Sequence, residues 1–321
     1  MVQIPYLSWG ADLSDDYEER SRIVGFREGM MFLGTILATL VPLLIFSDTN
    51  PSIRQILKIF VYVAVIVLPV TVLFALKRVP LGPHHSHSSL TIRESVAAVR
   101  SNRPFFILLL ATFLAWLALH IYNATVLLII EFAMQLPKSE FLRLVFVQFV
   151  VGLLSVPFMI RLANKYGKHR ILATSLIAVA LSLPVLAIVP PGNFTAAVAV
   201  FALLGVTISP TWVLPTAIVA DVVDYGRVGG GGDQAGLYMA VYNLGVKLAL
   251  ALSVGIALPL IQWGGFDPTS IDGAAVTAPL IIVGLGLPGL INLPAAWFLW
   301  RFPIDKQAQQ ELQKDLADAP A

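Results

Sequence analysis

The stretch FFILLLATFLAWLALHIYNATVLLIIEFA, at residues 105–133, decides the fold. It contains no Asp, Glu, Lys or Arg before Glu131. About 20 apolar residues in a helix cross the ~30 Å hydrocarbon core of a bilayer. Only helices and closed barrels satisfy their backbone groups in lipid, and this stretch lacks the alternation of a barrel strand. We therefore predict a transmembrane helix.

The composition extends this prediction to the whole chain of 321 residues. Hydrophobic residues make up 57% of the chain and charged residues 12%, against about 25% charged residues in a typical soluble domain. The absence of cysteine excludes disulfides, thiolate metal sites and cysteine nucleophiles. A net charge of +2 gives no reason to expect a nucleic-acid partner. We predict an integral membrane protein in contact with lipid.

Similar apolar runs predict an all-α integral membrane protein with about eight transmembrane helices. They cover residues 23–47, 55–76, 105–133, 143–161, 171–190, 194–220, 236–262 and 276–300. The longest connection separates two helices from six. The predicted units are a helix pair in 1–76, a cytoplasmic loop in 77–104, a six-helix bundle in 105–303 and a cytoplasmic tail in 304–321.

The basic residues lie unevenly on the two sides of these helices. Sixteen Lys and Arg residues fall in the two termini, the 77–104 loop and alternate connections, and only four fall on the other side, namely Arg54, Lys58, Lys138 and Arg143. Cytoplasmic segments carry the excess of Lys and Arg. We expect a multi-pass protein of the plasma (inner) membrane with both termini cytoplasmic.

Lys247 lies near the middle of the seventh predicted helix. A lysine at that depth costs roughly 2.5–3.5 kcal/mol on insertion scales, so it is expected to face a water-filled cavity or a carboxylate. Asn243 lies one turn earlier, on the same side of the helix. We interpret both as candidates for a substrate or ion pathway. The alternative is an ion pair that joins two helices.

The third predicted helix carries Thr112, Trp116, His120 and Asn123 at spacings that place them on one side. This stripe predicts that Trp116 and Asn123 face a cavity. Hydrogen bonding between helices explains the same pattern equally well. In the sixth helix, Pro210 and Pro215 surround Trp212 and predict a break or kink of the kind that lines transport pathways.

Other polar groups in the sequence give weaker evidence for a functional site. Arg27 lies one turn inside the first predicted helix, where it either snorkels to the cytoplasmic surface or points inward. His84, His85 and His87 lie in the 77–104 loop, and solvated loop histidines are usually not metal ligands. We assign no metal site.

The chain has no Ser/His/Asp triad, phosphate-binding glycine loop or HExxH motif. A polytopic membrane enzyme would have only Glu131 and His120 as loose candidates, and no motif joins them. We expect no enzyme activity and no catalytic residue.

Three segments carry a resemblance to a known family. They are IPY at 4–6 with Asp16, Glu19, Arg20 and Arg27; the basic run RLANKYGKHR at 161–170; and VADVVDYG at 219–226, followed by Lys247 on the next helix. In these segments the chain resembles the glycoside–pentoside–hexuronide:cation symporters, the melibiose permease-like branch of the major facilitator superfamily. The resemblance covers residues 3–303.

The resemblance implies a partial major facilitator fold, from the end of helix 4 through helix 12, without the first three to four helices. It implies alternating access and symport of a sugar or glycoside with Na⁺ or H⁺, and no cofactor. It places Trp212, Lys247, Asn243 and Arg27 at the sugar, with Lys247 also in the cation network. It places Asp221, Asp224, Arg161 and Lys165 in a cytoplasmic gate.

Two alternatives within the same family stay open. The chain is either active alone or a truncated transporter that is inactive, or that needs a separately encoded N-terminal part. The cargo is either a sugar or another small solute such as a lipid, because a fold does not fix its cargo.

Overall fold

The computed structural model describes residues 17–45, 53–79, 102–228, 235–267 and 273–304, and these are almost entirely helical. The chain divides into two compact units, unit 1 at residues 1–89 and unit 2 at residues 90–321. The prediction of an all-α membrane protein is confirmed. The predicted 77–104 loop and 304–321 tail lie mostly outside the described residues, so the domain boundaries stay a prediction.

In unit 1 the structure describes two helices, α1 at Tyr17–Ile45 and α2 at Ile53–Arg78. The most apolar part of α2 is not buried against any described residue, which suits a helix that faces lipid. The hydroxyl of Thr71 on α2 bonds to its own helix. Thr71 donates to the carbonyls of Val67 and Leu68 at 2.9 and 3.0 Å, which satisfies the hydroxyl without water.

The described residues of unit 2 form seven α-helices. They are α3 at Arg103–Leu128, α4 at Glu140–Tyr166, α5 at Lys168–Ser182, α6 at Phe194–Val228, α7 at Ala235–Trp263, α8 at Gly273–Ile281 and α9 at Leu287–Trp300. A π-helical segment, Ile129–Ala133, continues α3. A 3₁₀ segment, Leu183–Ile188, continues α5, and a π-helical segment, Ile282–Gly286, joins α8 to α9.

Seven helical segments of the described chain are long and apolar enough to cross a membrane. They are Leu57–Arg78, Arg103–Ala133, Glu140–Tyr166, Lys168–Ile188, Phe194–Val223, Gly236–Trp263 and Thr277–Trp300. The first predicted span, 23–47, is not among these seven. It falls on α1, whose apolar stretch Leu33–Ile45 is shorter. The protein is therefore a multi-pass membrane protein.

The helices of unit 2 pack in pairs around two buried clusters. Helix α4 packs on α6, α3 packs on α7, and α9 packs on both α3 and α5. One cluster contains Tyr122 and Phe201, and the other contains Phe105, Tyr238 and Phe302. Both clusters are built from side chains of several helices, which fixes the positions of the polar groups described below.

Small residues bring α4 and α6 into close contact. A Cβ added to Gly205 would overlap the carbonyl oxygen of Gln148, and Ser155 and Ser209 share a hydrogen bond of 2.7 Å between their hydroxyls. Small side chains let helix backbones approach in membranes, where dispersion and hydrogen bonds replace the hydrophobic driving force. The glycine at position 205 is therefore required for this packing.

Helix α6 runs through Pro210 and Pro215 as one helix, so the two prolines do not break it. Pro210 has no N–H to donate to the carbonyl of Val206. The hydroxyl of Ser209 donates to that carbonyl instead, at 3.0 Å. The side chain thus replaces a lost backbone bond, which keeps α6 continuous next to Trp212.

We predict that Gly205→Ala destabilises unit 2, because the new methyl group collides with the backbone of α4. Overpacking of this kind costs about 1–3 kcal/mol. Thermal unfolding of the purified protein in detergent measures the effect. The matched control is Gly255→Ala on α7, where an added Cβ meets nothing within 4 Å. Equal unfolding temperatures of the two variants would contradict the predicted close contact.

Candidate functional site

A polar face of unit 2 is built where α3 packs on α7. The indole N–H of Trp116 donates to the hydroxyl of Tyr242 at 3.1 Å. The ring of His120 stacks on the ring of Trp116, with centroids 5.6 Å apart. The hydrogen bond between helices, one of the two interpretations of the sequence stripe, is therefore present at Trp116. The residue is half-buried, and the interpretation that it faces a cavity stays a prediction. Nothing in the sequence pattern of α3 alone indicated Tyr242.

The rest of the stripe divides between the interior and the surface of unit 2. Thr112 is buried and donates to the carbonyl of Leu108 at 2.7 Å, within its own helix. Asn123 is exposed. The Nε2 atom of His120 is buried and has no hydrogen-bond partner among the described residues. Trp116, His120 and Asn123 are therefore the members of the stripe that are not fully buried.

Two of the predicted site residues follow Tyr242 along α7. The amide of Asn243 donates to the carbonyl of Met239 at 2.8 Å, and the residue is half-buried. Lys247 is exposed, and no ion pair holds it within the described part of the chain. The alternative of an ion pair between two helices thus finds no carboxylate there. An uncompensated ammonium at mid-helix requires water, a solute or an anion nearby.

The ring of Trp212 on α6 is held in place by residues of α4. Its ring stacks on Phe149 of α4, with centroids 5.2 Å apart and an interplanar angle of 23°. A Cβ added to Gly152 would lie 2.8 Å from the indole, so the glycine leaves the space that the ring occupies. Trp212 is half-buried. Its orientation is therefore fixed by α4.

An ion pair lies at the end of unit 2 that is predicted to be cytoplasmic. The ammonium of Lys168 lies 2.7 and 2.9 Å from the two carboxylate oxygens of Asp221. Arg161 and Lys165, the predicted basic gate residues, are exposed, and Lys165 lies over the ring of Tyr166. The side chains of Arg27 and Asp224 lie outside the described residues. The basic run 161–170 predicted a basic surface at this end of unit 2. Only the fold shows that Lys168 is the residue of this run that pairs with Asp221.

Asn102 organises the same end of unit 2 and was missed by the sequence analysis. Its side-chain oxygen accepts the N–H of Phe105 at 3.1 Å and so caps α3. Its amide donates to the hydroxyl of Tyr238 at 3.2 Å and lies 3.5 Å from the carbonyl oxygen of Val222. One side chain thus joins α3, α6 and α7. An asparagine two residues before Pro104 is a helix-start signal, but its distant partners leave no local signature.

The described residues show neither a metal site nor a catalytic constellation. No three His, Cys, Asp or Glu side chains among them are placed to hold a metal ion. Glu131, one of the two loose candidates for an enzyme, pairs with Lys138 at 3.0 Å. The loop histidines 84, 85 and 87 lie outside the described residues.

Comparisons with known proteins identify the family of the chain. Residues 1–306 match the family described as MFS/sugar transport protein, and the chain belongs to that family. The chain is a major facilitator transporter and not an enzyme. It is similar to a protein of Bacillus subtilis (strain 168) called uncharacterized symporter YjmB, with 27% identity over 331 residues. That match covers 97% of this chain and 68% of the relative.

We predict that Lys168→Met destabilises unit 2, because it leaves the partly buried carboxylate of Asp221 without its ammonium. The cost lies between that of an exposed and a buried ion pair, about 1–3 kcal/mol. Thermal unfolding in detergent measures it. Lys138→Met, which removes the more exposed pair with Glu131, is the control and should cost less than about 1 kcal/mol. A larger effect of the control would contradict this ranking.

Proposed function

We propose that this transporter carries a sugar or glycoside by symport with Na⁺ or H⁺. The observation that carries the proposal is a set of polar and aromatic side chains on α3 and α7. Trp116 of α3 is bonded to Tyr242 of α7, and α7 also carries the half-buried Asn243 and the exposed Lys247. We treat these four residues as one candidate set. Its groups have the chemistry that a sugar needs, because a sugar presents hydroxyls at its edges and C–H groups on its ring faces.

The aromatic residues support binding of a solute that is flat and partly polar. Trp116 offers a half-buried ring whose N–H is already bonded to Tyr242, so the ring is held in place. Trp212 offers a second ring, fixed by its stacking on Phe149. Preformed sites lose less conformational entropy on binding. We propose that both rings contact the solute and that Asn123 and Asn243 bond to its hydroxyls.

Lys247 supports coupling of the solute to a cation. Its ammonium is exposed on α7 and lacks a carboxylate among the described residues. A fixed positive charge at this depth repels a second cation and attracts solute oxygens. We propose that Lys247 belongs to the network that links the solute to Na⁺ or H⁺. Arg27 joins this site in the proposal, and Asp221, Asp224, Arg161 and Lys165 form its cytoplasmic gate.

The distribution of basic residues supports a location in the plasma (inner) membrane with both termini in the cytoplasm. Alternating access then requires the site to open first to one side and then to the other. The pair of Lys168 and Asp221 lies at the proposed cytoplasmic end.

We predict that Lys247→Ala and Trp212→Ala each abolish solute uptake and leave membrane insertion unchanged. The first removes the charge that contacts the solute, and the second removes a stacking surface. Uptake of radiolabelled sugars into cells or proteoliposomes measures the loss. Matched controls are Lys138→Ala and Trp263→Ala, which change exposed residues outside the site. Unchanged uptake in both site variants would overturn the site assignment.

We further predict that an imposed ion gradient drives uptake in proteoliposomes. Symport requires that an inward Na⁺ gradient or an inward H⁺ gradient raises the initial rate of sugar uptake. Each gradient is imposed separately, with the other ion equal on both sides. Equal rates with and without either gradient would show facilitated diffusion and reject coupling. Uptake of a lipid but not of a sugar would assign the cargo to another class.

The second candidate function is that of a transporter that is inactive without a separate N-terminal part. About a third of the length of the relative from Bacillus subtilis lies outside the match, and the apolar surface of α2 is not buried within the described residues. These two observations favour a transporter whose activity requires a complementary N-terminal part. Co-expression with the corresponding part of that relative tests this. Uptake only in the co-expressing cells supports it, and equal uptake by the chain alone rejects it.

A further inference from the structure

A small cavity lies inside unit 2, away from the polar face. It is lined by side chains of α3, α5, α6 and α9, and most of these are apolar. Three of its lining residues are polar: Tyr122 on α3, Thr211 on α6 and Asn292 on α9. The cavity is about large enough for one water molecule.

Asn292 is the unexplained group of this cavity. The residue is 2% exposed, and its Oδ1 atom is buried without a hydrogen-bond partner among the described residues. Buried polar groups in native proteins are nearly always bonded, because leaving one unbonded costs the full loss of its hydration. An asparagine that lines a cavity therefore indicates that something inside the cavity donates to it.

The other two polar residues supply the remaining bonds that a small guest would need. Tyr122 is buried, and its hydroxyl donates to Oε1 of Gln148 at 3.2 Å, so its oxygen can still accept. Thr211 is buried and brings a hydroxyl that both donates and accepts. Pro215 has no N–H for the carbonyl of Thr211, so the same residue also has an acceptor without its usual helical donor.

The chemistry of the cavity favours a neutral guest. None of the residues that line it is charged. A cation held there by neutral oxygens alone would lose its hydration without a compensating carboxylate, which is costly in an apolar interior. A water molecule needs two to four polar partners and finds three residues that can provide them.

We propose that this cavity holds one structural water, which donates to Asn292 and bonds to Thr211 and Tyr122. The water joins α9 to α6 at the residue that precedes Trp212. It therefore acts as a buried link between three helices and contributes to the position of that part of α6. The proposal does not depend on the transported solute or on coupling.

Radiolytic hydroxyl labelling tests the proposal in the intact protein. X-rays convert bound water to hydroxyl radicals in place, so a buried side chain next to a trapped water is oxidised although bulk water does not reach it. We expect oxidation of Tyr122, read by mass spectrometry and normalised to the unfolded protein. The control is Phe201, which is 0% exposed and does not line the cavity. Equal protection of Tyr122 and Phe201 would show a dry cavity and overturn the proposal.

The variant Asn292→Leu identifies the residue that holds the water. Leucine has nearly the same size and cannot bond to water, so we expect the labelling of Tyr122 to fall to that of Phe201. Labelling that persists in the variant would show that Asn292 does not hold the water and would overturn that part. The wild-type labelling decides the presence of water even if the variant fails to fold.

A double-mutant cycle gives a second, independent measurement. If one water joins the two residues, Asn292→Leu and Thr211→Val each lower the unfolding temperature, and the double variant loses less than the two losses combined. If the cavity is dry, Asn292→Leu removes an unbonded group and raises the unfolding temperature. An additive double variant, or a rise for Asn292→Leu, overturns the water bridge.

Discussion

Backbone and side-chain polar groups inside a hydrocarbon layer have no water to bond, and every helix of this protein depends on that constraint. The helix itself satisfies most N–H and C=O groups. Hydroxyls in the spans bond back to carbonyls of the same helix, as Thr71 and Thr112 do. Ser209 replaces the donor that Pro210 removes, so α6 stays continuous. Polar groups that are not satisfied in this way are few, and they mark the places where function is expected.

The close contact of α4 and α6 fixes the position of Trp212, a residue of the proposed solute site. Gly205 brings the two backbones together, and Gly152 leaves the space in which the ring of Trp212 lies. Phe149 then covers one side of that ring. The aromatic surface proposed for the solute is thus held by a contact between small residues. A change in the packing of α4 on α6 would move Trp212 without touching it.

The polar groups of unit 2 lie in three places and have different physical roles in each. At one end, Lys168 and Asp221 form a charged pair and Asn102 joins three helices. In the α3–α7 contact, Trp116 and Tyr242 share a hydrogen bond, and Lys247 on α7 remains without a carboxylate among the described residues. In the interior, Asn292 lines a cavity of its own.

The sequence by itself determined the membrane class, the positions of the helices and the family, because apolar length and the VADVVDYG run are local properties of the chain. It also indicated Trp116, Trp212 and Lys247, since polar and aromatic residues in an apolar helix stand out. It did not indicate Tyr242, Asn102, Phe149 or the pairing of Lys168 with Asp221. Only the tertiary structure decided these, because each contact joins residues far apart in the chain, and ordinary residue types become distinctive only when helix packing brings them together.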